Sequence, residues 1–261
     1  MMDLEEYKHL MDVKGWVVLD SVIEKSLIKQ MAQDIHIAYE NCRAIQIRNG
    51  IPQNNAFTVH HLIGQCDSFL NYLQRSEVLD EYLKASFGGK YILNSFGGAI
   101  NTANSSSYAH NIHRDVRTYS SELPLLLNTL VMLDDFTEEN GATYMMSASH
   151  KTHPEAPRRD EFEAVAERAL GKAGSILIFN SNVWHAGGDN KTENARRSVT
   201  PMYCQPYVKP QFDYPRVLGY NRKEEFSGYL CQVLGYNARI PETLEEWYQP
   251  VEKRMYQSSQ G

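Results

Sequence analysis

The stretch GSILIFNSNVWHAGG, residues 174–188, joins an uninterrupted apolar run to a histidine and two glycines. A short apolar run bounded by turn-forming residues is typical of a buried β-strand. The glycines that follow His185 allow a backbone segment or a ligand to approach closely. We therefore predict a buried strand, followed by a short loop that presents His185.

Similar short runs lie on both sides of this stretch. They are separated by Gly, Asn, Asp and Pro, and they read KYILNSF, PLLLNTLVMLDD, ATYMMS and RRSVTPMYC. This spacing is typical of a β-sandwich or a barrel. One helical insert is predicted near residues 161–170, and the chain after Pro210 is predicted to be loop and helix.

The first third of the chain has helical periodicity. Apolar residues recur every fourth position at Ile23, Leu27, Met31 and Ile35, which predicts a helix over residues 21–42. Ser21 is predicted to be its N-cap, with Glu24 completing a capping box. A second helix is predicted over residues 67–86, and the turn-forming stretch 49–58 is predicted to be a loop.

These elements predict one domain over residues 1–261. We expect a helical part over about 1–88, a β core over about 90–208 and a C-terminal helical part over about 210–256. The loop 49–58 and the C-terminal helices are the expected lid, because loops on a rigid scaffold carry specificity. The predicted class is mainly β with flanking helices.

Composition narrows the classes of function. The 261 residues carry a formal net charge of -6, which does not favour a nucleic-acid surface. The acidic N-terminus lacks a signal pattern, and no run of about 18 apolar residues suggests a membrane span. The four cysteines form no CxxC pair, so free thiols are expected. We expect a soluble cytoplasmic protein, and its oligomeric state stays open.

The stretch NIHRDVRTY, residues 111–119, carries two potential metal ligands with one residue between them. On a strand, alternate side chains share a face, so His113 and Asp115 would point the same way. Arg117 would share that face, whereas Arg114 would point away. An isolated HxD pair arises by chance in many proteins, so a metal site needs a third ligand.

His185 is the best candidate for the third ligand. Two histidines and one carboxylate form a facial triad, which leaves three adjacent positions on an octahedral ion open for O2 and a chelating molecule. Other histidines compete less well. His60 and His61 would point to opposite sides of a strand, and we expect His150 and His153 to face solvent or make a local hydrogen bond.

Two adjacent arginines follow His185 on the run RRSVTPMYC. A guanidinium group binds a carboxylate through two parallel hydrogen bonds, so it could hold the far carboxylate of a dicarboxylic cosubstrate. Arg196, eleven residues after His185, is the first choice and Arg197 is its rival. Because neighbours on a strand face opposite sides, only one of the two can serve.

Together these motifs resemble the phytanoyl-CoA dioxygenase family of Fe(II)/2-oxoglutarate oxygenases, which includes the ectoine hydroxylases. The resemblance covers most of the chain. It rests on the motif HRD and on three longer segments, which are DVKGWVVLDSVIEKSLI, ENGATYMMSASHK and GSILIFNSNVWHAGGDNKTENARRS. Ala148 and the pair Met146 and Ser147 stand where the family more often has glycine and a proline context.

The resemblance implies a double-stranded β-helix, the jelly-roll architecture of cupins, with helices packed outside. It implies Fe(II) held by His113, Asp115 and His185, with 2-oxoglutarate and O2 as cosubstrates. It also implies residues that contact 2-oxoglutarate, namely Arg196, Thr143, Asn101 and His110. His110 stands where the family often has glutamine.

The implied activity is hydroxylation of a small molecule at an unactivated C–H bond, with release of succinate and CO2. The retained Asp115 disfavours halogenation, because related halogenases have a small residue there. Arg117 and Tyr119 are the candidate substrate-binding residues, with Arg117 pairing with an anionic group. Two alternatives stay open: desaturation, epoxidation or cyclisation by the same centre, and a cupin-type metal-binding barrel without oxygenase activity.

Overall fold

The computed structural model describes residues 1–51, 58–103 and 108–260. Nine strands form two antiparallel sheets within this part of the chain. The strands are β1 (Trp16–Leu19), β2 (Thr58–Val59), β3 (Ile92–Asn101), β4 (Leu126–Met132), β5 (Tyr144–Met145), β6 (Glu167–Arg168), β7 (Ile176–Asn180), β8 (His185–Ala186) and β9 (Arg196–Cys204). The large sheet has the order β1-β7-β4-β9-β3-β2, and the small sheet has the order β6-β5-β8.

Helices flank the large sheet. They are α1 (Leu4–Val13), α2 (Lys25–Arg48), α3 (Asp67–Arg75), α4 (Asp80–Phe87), α5 (Ser149–Thr152), α6 (Arg159–Val165), α7 (Tyr214–Leu218), α8 (Gly228–Val233) and α9 (Leu244–Trp247). Short 3-10 segments cover Ser76–Leu79, Tyr108–His110, Tyr220–Glu225 and Val251–Lys253. Among the described residues, none of the helices is long and apolar enough to cross a membrane.

The alternation of β4 and β7 separates two apolar clusters. Leu127 and Val131 of β4 face the helices and join the larger cluster, which also contains residues of α2, α3, α4 and α8. Met132 faces the other way, into a smaller cluster between the two sheets. Asn128 shares the inward face of β4, so this strand presents a polar amide to the space between the sheets.

The strands predicted from the middle of the sequence are confirmed. The predicted helices need three corrections. The first helix begins at Lys25, not at Ser21, because Ser21 has a positive φ of 50° and its backbone N–H donates to Ser175 Oγ at 3.1 Å. The helix predicted over 67–86 is divided by the 3-10 segment, and the insert 161–170 contains α6 followed by β6.

Residues 52–57 of the predicted loop 49–58 lie outside the described residues. The N-terminal third is not wholly helical, since β1 and β2 form the two edges of the large sheet. The predicted division of the chain into one domain with a C-terminal lid stays a prediction.

Phe96 joins the helices to the large sheet. Its side chain is fully buried on β3, with its ring centroid 6.1 Å from that of Phe69 and 5.9 Å from that of Tyr72, both on α3.

Phe96→Ala should lower the free energy of unfolding by about 3–5 kcal/mol, because the surrounding residues would not fully fill the cavity left by the ring. Urea denaturation followed by circular dichroism measures this. The control Val165→Ala, at an exposed position, should change it by less than about 0.5 kcal/mol. A loss of less than about 1 kcal/mol for Phe96→Ala would contradict this packing.

Candidate active site

Three potential ligands converge between the sheets. His113 forms an isolated antiparallel bridge with His185, with backbone N···O distances of 3.0 and 2.9 Å. The backbone N–H of Asp115 donates to the carbonyl of Ser181 at 3.1 Å. The predicted strand over 111–117 is therefore wrong as a regular strand, because the described pairing is limited to this bridge. The predicted directions of the side chains hold nevertheless.

The donor atoms of the three side chains lie within 4.8 Å of one another. Asp115 places Oδ1 3.6 Å from His113 Nε2 and Oδ2 3.5 Å from His185 Nε2. Two imidazoles and one carboxylate around a common centre are the donor set of a facial triad. The three residues therefore fit a divalent transition metal.

The hydrogen bonds of both histidines engage Nδ1 and leave Nε2, the nitrogen that points toward Asp115, available to a metal. Nδ1 of His113 lies 2.7 Å from the carbonyl oxygen of Asn111, and Nδ1 of His185 lies 2.9 Å from that of Val183. A carbonyl can only accept, so each Nδ1 carries the proton and each neutral ring presents a lone pair on Nε2. Burial, reinforced by the nearby His113, lowers the pKa of His185 to about 4. His185 is therefore neutral at physiological pH, which is the form that binds a metal.

Asn128 orients the carboxylate ligand. Its Nδ2 donates a hydrogen bond to Asp115 Oδ2, and its Oδ1 accepts from the hydroxyl of Ser181 at 3.0 Å. The Ser181 contact determines which way the amide faces. One carboxylate oxygen of Asp115 is thus engaged by Asn128, while Oδ1 has no such donor in the described contacts. Asn128 is not among the residues predicted from the sequence, although its amide is a polar group within the apolar run PLLLNTLVMLDD.

A cavity of about 360 Å³ surrounds these ligands. Of the other site residues predicted from the motifs, Thr143, Arg196 and Arg117 line it as well. The cavity wall is otherwise formed largely by inward-facing residues of β3, β4 and β9, which include Ser95, Gly97, Ala99, Asn128, Leu130, Ser198, Thr200 and Met202.

Arg196 is a buried cation in this wall. Its side chain donates to the carbonyl of Gly141 at 2.6 Å, and the guanidinium carbon lies 4.3 Å from the centroid of the Phe136 ring. Its Nε is buried and has no hydrogen-bond partner among the described residues. Burial lowers the pKa of Arg196 to about 10, so the side chain remains a cation at neutral pH. A buried cation with an unused donor fits an anionic ligand such as a carboxylate.

Arg197 faces the opposite side of β9. It forms a bidentate ion pair with Asp134, with N···O distances of 2.9 and 2.6 Å, and it also donates to the carbonyl of Ala32 at 2.8 Å. This arginine therefore links the sheet to α2. Of the two rivals, only Arg196 is placed to meet a ligand in the cavity.

The remaining predicted residues lie around the cavity in different ways. Tyr119 is not among the cavity-lining residues; its hydroxyl donates to the carbonyl of Lys151, and its ring packs against Arg114. Asn101 donates from Nδ2 to the carbonyl of Gly188 at 3.0 Å, and His110 Nδ1 lies 3.7 Å from Asp189 Oδ1. Asn101 and His110 thus contact the segment that follows His185. Their predicted roles toward cosubstrate or substrate stay predictions.

Two histidines that the sequence analysis set aside line the cavity. His60 and His61 both do so, because His61 adopts a positive φ of 56° instead of continuing β2. The ring of His61 stacks on Phe212 with centroids 4.2 Å apart. Of the two histidines expected to face solvent or to make a local hydrogen bond, His150 is buried and does not face solvent, and His153 makes a local hydrogen bond with Thr152. The strand periodicity gave no signal for His61, since its conformation depends on the tertiary contacts.

Comparison with known proteins agrees with this geometry. The phytanoyl-CoA dioxygenase (PhyH) family model matches residues 11–198, and this match does not separate ectoine hydroxylases from other members. An uncharacterised protein of Mycobacterium bovis, Mb1539, is 25% identical over 266 residues, covering 99% of this chain and 96% of that protein. The dioxygenase trt7 of Aspergillus terreus is 32% identical over 144 residues, covering 50% of this chain and 48% of its own length.

Solved structures show the same fold. The crystal structure of HygX from Streptomyces hygroscopicus, with nickel and 2-oxoglutarate bound, superimposes with a TM-score of 0.59 at 17% identity. The match covers 80% of this chain and 90% of HygX. The predicted double-stranded β-helix with flanking helices is therefore confirmed.

The contact between Asn128 and Asp115 gives a prediction for metal affinity. Asn128→Leu keeps a similar volume but removes the donor, so the Zn(II) dissociation constant should rise about 10- to 100-fold. Isothermal titration calorimetry of the full chain measures it. His113→Ala should weaken binding further, and Asn41→Leu, at an exposed position on α2, should leave it unchanged. Equal Zn(II) affinity for Asn128→Leu and the unaltered chain would rule out this role.

Proposed function

Since the chain belongs to the phytanoyl-CoA dioxygenase family of Fe(II)- and 2-oxoglutarate-dependent dioxygenases, we propose that it hydroxylates a small molecule at an unactivated C–H bond. The observation that carries the proposal is the facial triad of His113, Asp115 and His185 in the same cavity as the buried cation of Arg196. A metal-binding protein without oxygenase activity would need the triad but not an arginine reserved for a diacid.

The triad would hold Fe(II) through two neutral imidazoles and one carboxylate. Bound there with 2-oxoglutarate, iron supplies O2 activation coupled to oxidative decarboxylation, which yields succinate and CO2 and oxidises the substrate. The chain itself orients the ligands. The backbone bridge holds His113 beside His185, and Asn128 keeps one oxygen of Asp115 engaged so that the other is free for the metal.

Arg196 would bind the distal carboxylate of 2-oxoglutarate, with Thr143 beside it in the cavity wall. The pairing is favourable because Arg196 is already desolvated by the fold. An anion that reaches it replaces an incompletely paired buried charge with a hydrogen-bonded ion pair. Asn101 and His110 would support the cosubstrate site indirectly, by holding residues 187–189 in place at the cavity wall.

Arg117 would recognise the substrate. It lines the cavity, its side chain is exposed, and no ion pair of it occurs among the described residues. Among the described residues that line the cavity there is one carboxylate, Asp115, which faces the proposed metal. With the metal and 2-oxoglutarate in place, Arg117 is the cation left to pair with an anionic group of the substrate.

Desaturation, epoxidation or cyclisation by the same centre is the alternative outcome. The outcome depends on which substrate bond lies nearest the metal, and the residues of the cavity wall determine this by positioning the substrate. The mass of the product separates these reactions, because hydroxylation adds one oxygen atom and desaturation removes two hydrogen atoms.

The cosubstrate site is tested by anaerobic addition of Fe(II) and 2-oxoglutarate, which should give a weak visible absorption band. His113→Ala should abolish the band. Arg196→Ala should weaken the binding of the cosubstrate about 10- to 100-fold, the value of a charged hydrogen-bonded contact. Arg48→Ala, at an exposed position on α2, is the control. If His113→Ala and Arg196→Ala both gave a band as strong as that of the unaltered chain, the site would lie elsewhere.

The role of Arg117 is tested with a substrate found by screening small molecules for substrate-dependent succinate production. Arg117→Ala should raise the KM for that substrate about tenfold or more, because a charged contact is lost. The KM for the cosubstrate should not change, and Arg117→Lys should recover part of the loss by restoring the charge. An unaltered substrate KM in Arg117→Ala would exclude this contact.

A further inference from the structure

A second, larger cavity adjoins the candidate active site. It has a volume of about 860 Å³ and is lined by the start of β3 and by C-terminal residues. Its lining is mostly apolar and aromatic, and it includes Tyr207, Phe212, Tyr220 and Ile240. The charged residues in it carry both signs, so the cavity as a whole does not select a charged ligand.

Strand β3 contributes to the walls of both cavities. Cross-strand pairs of β3 and β9 run from Asn101 opposite Arg196 to Ser95 opposite Met202, a distance of about 20 Å at the usual rise per residue. Ser95 and Met202 line the metal cavity, whereas the next residues toward the start of β3, Leu93 and Ile92, line the second cavity.

The boundary between the cavities lies at an irregularity in the sheet. The register of β3 and β9 shifts between Leu93 and Ser95. Asn94, at this shift, is buried and donates to the carbonyl of Lys209 at 3.3 Å, and its own carbonyl accepts the backbone N–H of Gln211 at 2.9 Å. Bulges of this kind re-aim side chains beside active sites. Here Asn94 fastens residues 209–211 to β3 beside the register shift.

The partition between the cavities is thin. Gln211 lines both of them. His61 lines the metal cavity and stacks on Phe212, which lines the second cavity, with the two rings inclined by 11°. His61 holds this position with a positive φ of 56°, a conformation that costs energy in a residue other than glycine. The stacked rings of His61 and Phe212 therefore form part of the wall between the apolar space and the metal site.

We propose that the second cavity is the outer compartment of the substrate site. It takes the apolar ring part of an amphipathic organic anion, while the acidic group and the reacting carbon lie in the metal cavity near Arg117. This inference rests on the proposed function and specifies its substrate class. It accounts for the shared wall residue Gln211 and for the different polarity of the two cavities.

The test uses 8-anilinonaphthalene-1-sulfonate, a fluorescent probe with apolar rings and one negative charge, on the full chain loaded with Zn(II) and 2-oxoglutarate. Zinc accepts the same donors without redox chemistry. Ile240→Asp places a negative charge at the exposed rim of the outer cavity and should weaken probe binding about fivefold or more. Ile47→Asp makes the same change at an exposed position on α2 that lines neither cavity, and it should leave binding within about twofold.

Arg117→Ala should also weaken probe binding about fivefold or more, because the probe then loses its cationic partner. Binding that is unaffected by Ile240→Asp would overturn the inference. Binding that depends on Ile240 but not on Arg117 would also overturn it, since the apolar cavity would then be a separate site. The Fe(II) and 2-oxoglutarate absorption band of the unaltered chain distinguishes the two failures: its presence with an insensitive probe rejects the outer compartment alone, and its absence rejects the proposed function.

Discussion

Two backbone hydrogen bonds join residues 113 and 185, which lie 72 positions apart in the chain, and they bring both imidazoles to the same centre. The other features of the site depend on this bridge. The backbone of Asp115 is held by Ser181, the hydroxyl of Ser181 orients Asn128, and Asn128 in turn orients the carboxylate of Asp115. The ligands are thus supported by groups that are themselves hydrogen-bonded, which limits the entropy that a metal must remove on binding.

Two neighbouring arginines illustrate how one strand serves stability and binding at once. Arg197 is satisfied by Asp134 and by a carbonyl of α2, so it fastens the helix to the sheet. Arg196 is buried on the opposite face, and its Nε has no hydrogen-bond partner in the described part of the chain. The fold bears the desolvation cost of this cation before any ligand arrives. Such a group costs stability in the free protein and makes the binding of a matching anion more favourable.

The two cavities differ in how their walls are made. Regular strands form most of the metal cavity, and their alternation points every second side chain into it, among them the polar Ser95, Asn128, Ser198 and Thr200. The outer cavity is formed mostly by irregular segments after β9, where proline and aromatic residues prevail. Rigid strands suit the chemistry that all members of the family share, whereas irregular segments can differ between members without disturbing the ligands.

The sequence by itself determined the β core, the motif HRD, the third ligand His185 and the choice of two arginines, because period-2 alternation and ligand spacing are local properties. It could not determine that Ser21 lies outside the first long helix, because the backbone of Ser21 is held by a hydrogen bond to Ser175. Only the tertiary structure decided between Arg196 and Arg197, brought Asn128 to Asp115 and turned His61 toward the cavity. Each of these depends on contacts between segments far apart in the chain, and such contacts leave no periodic signal.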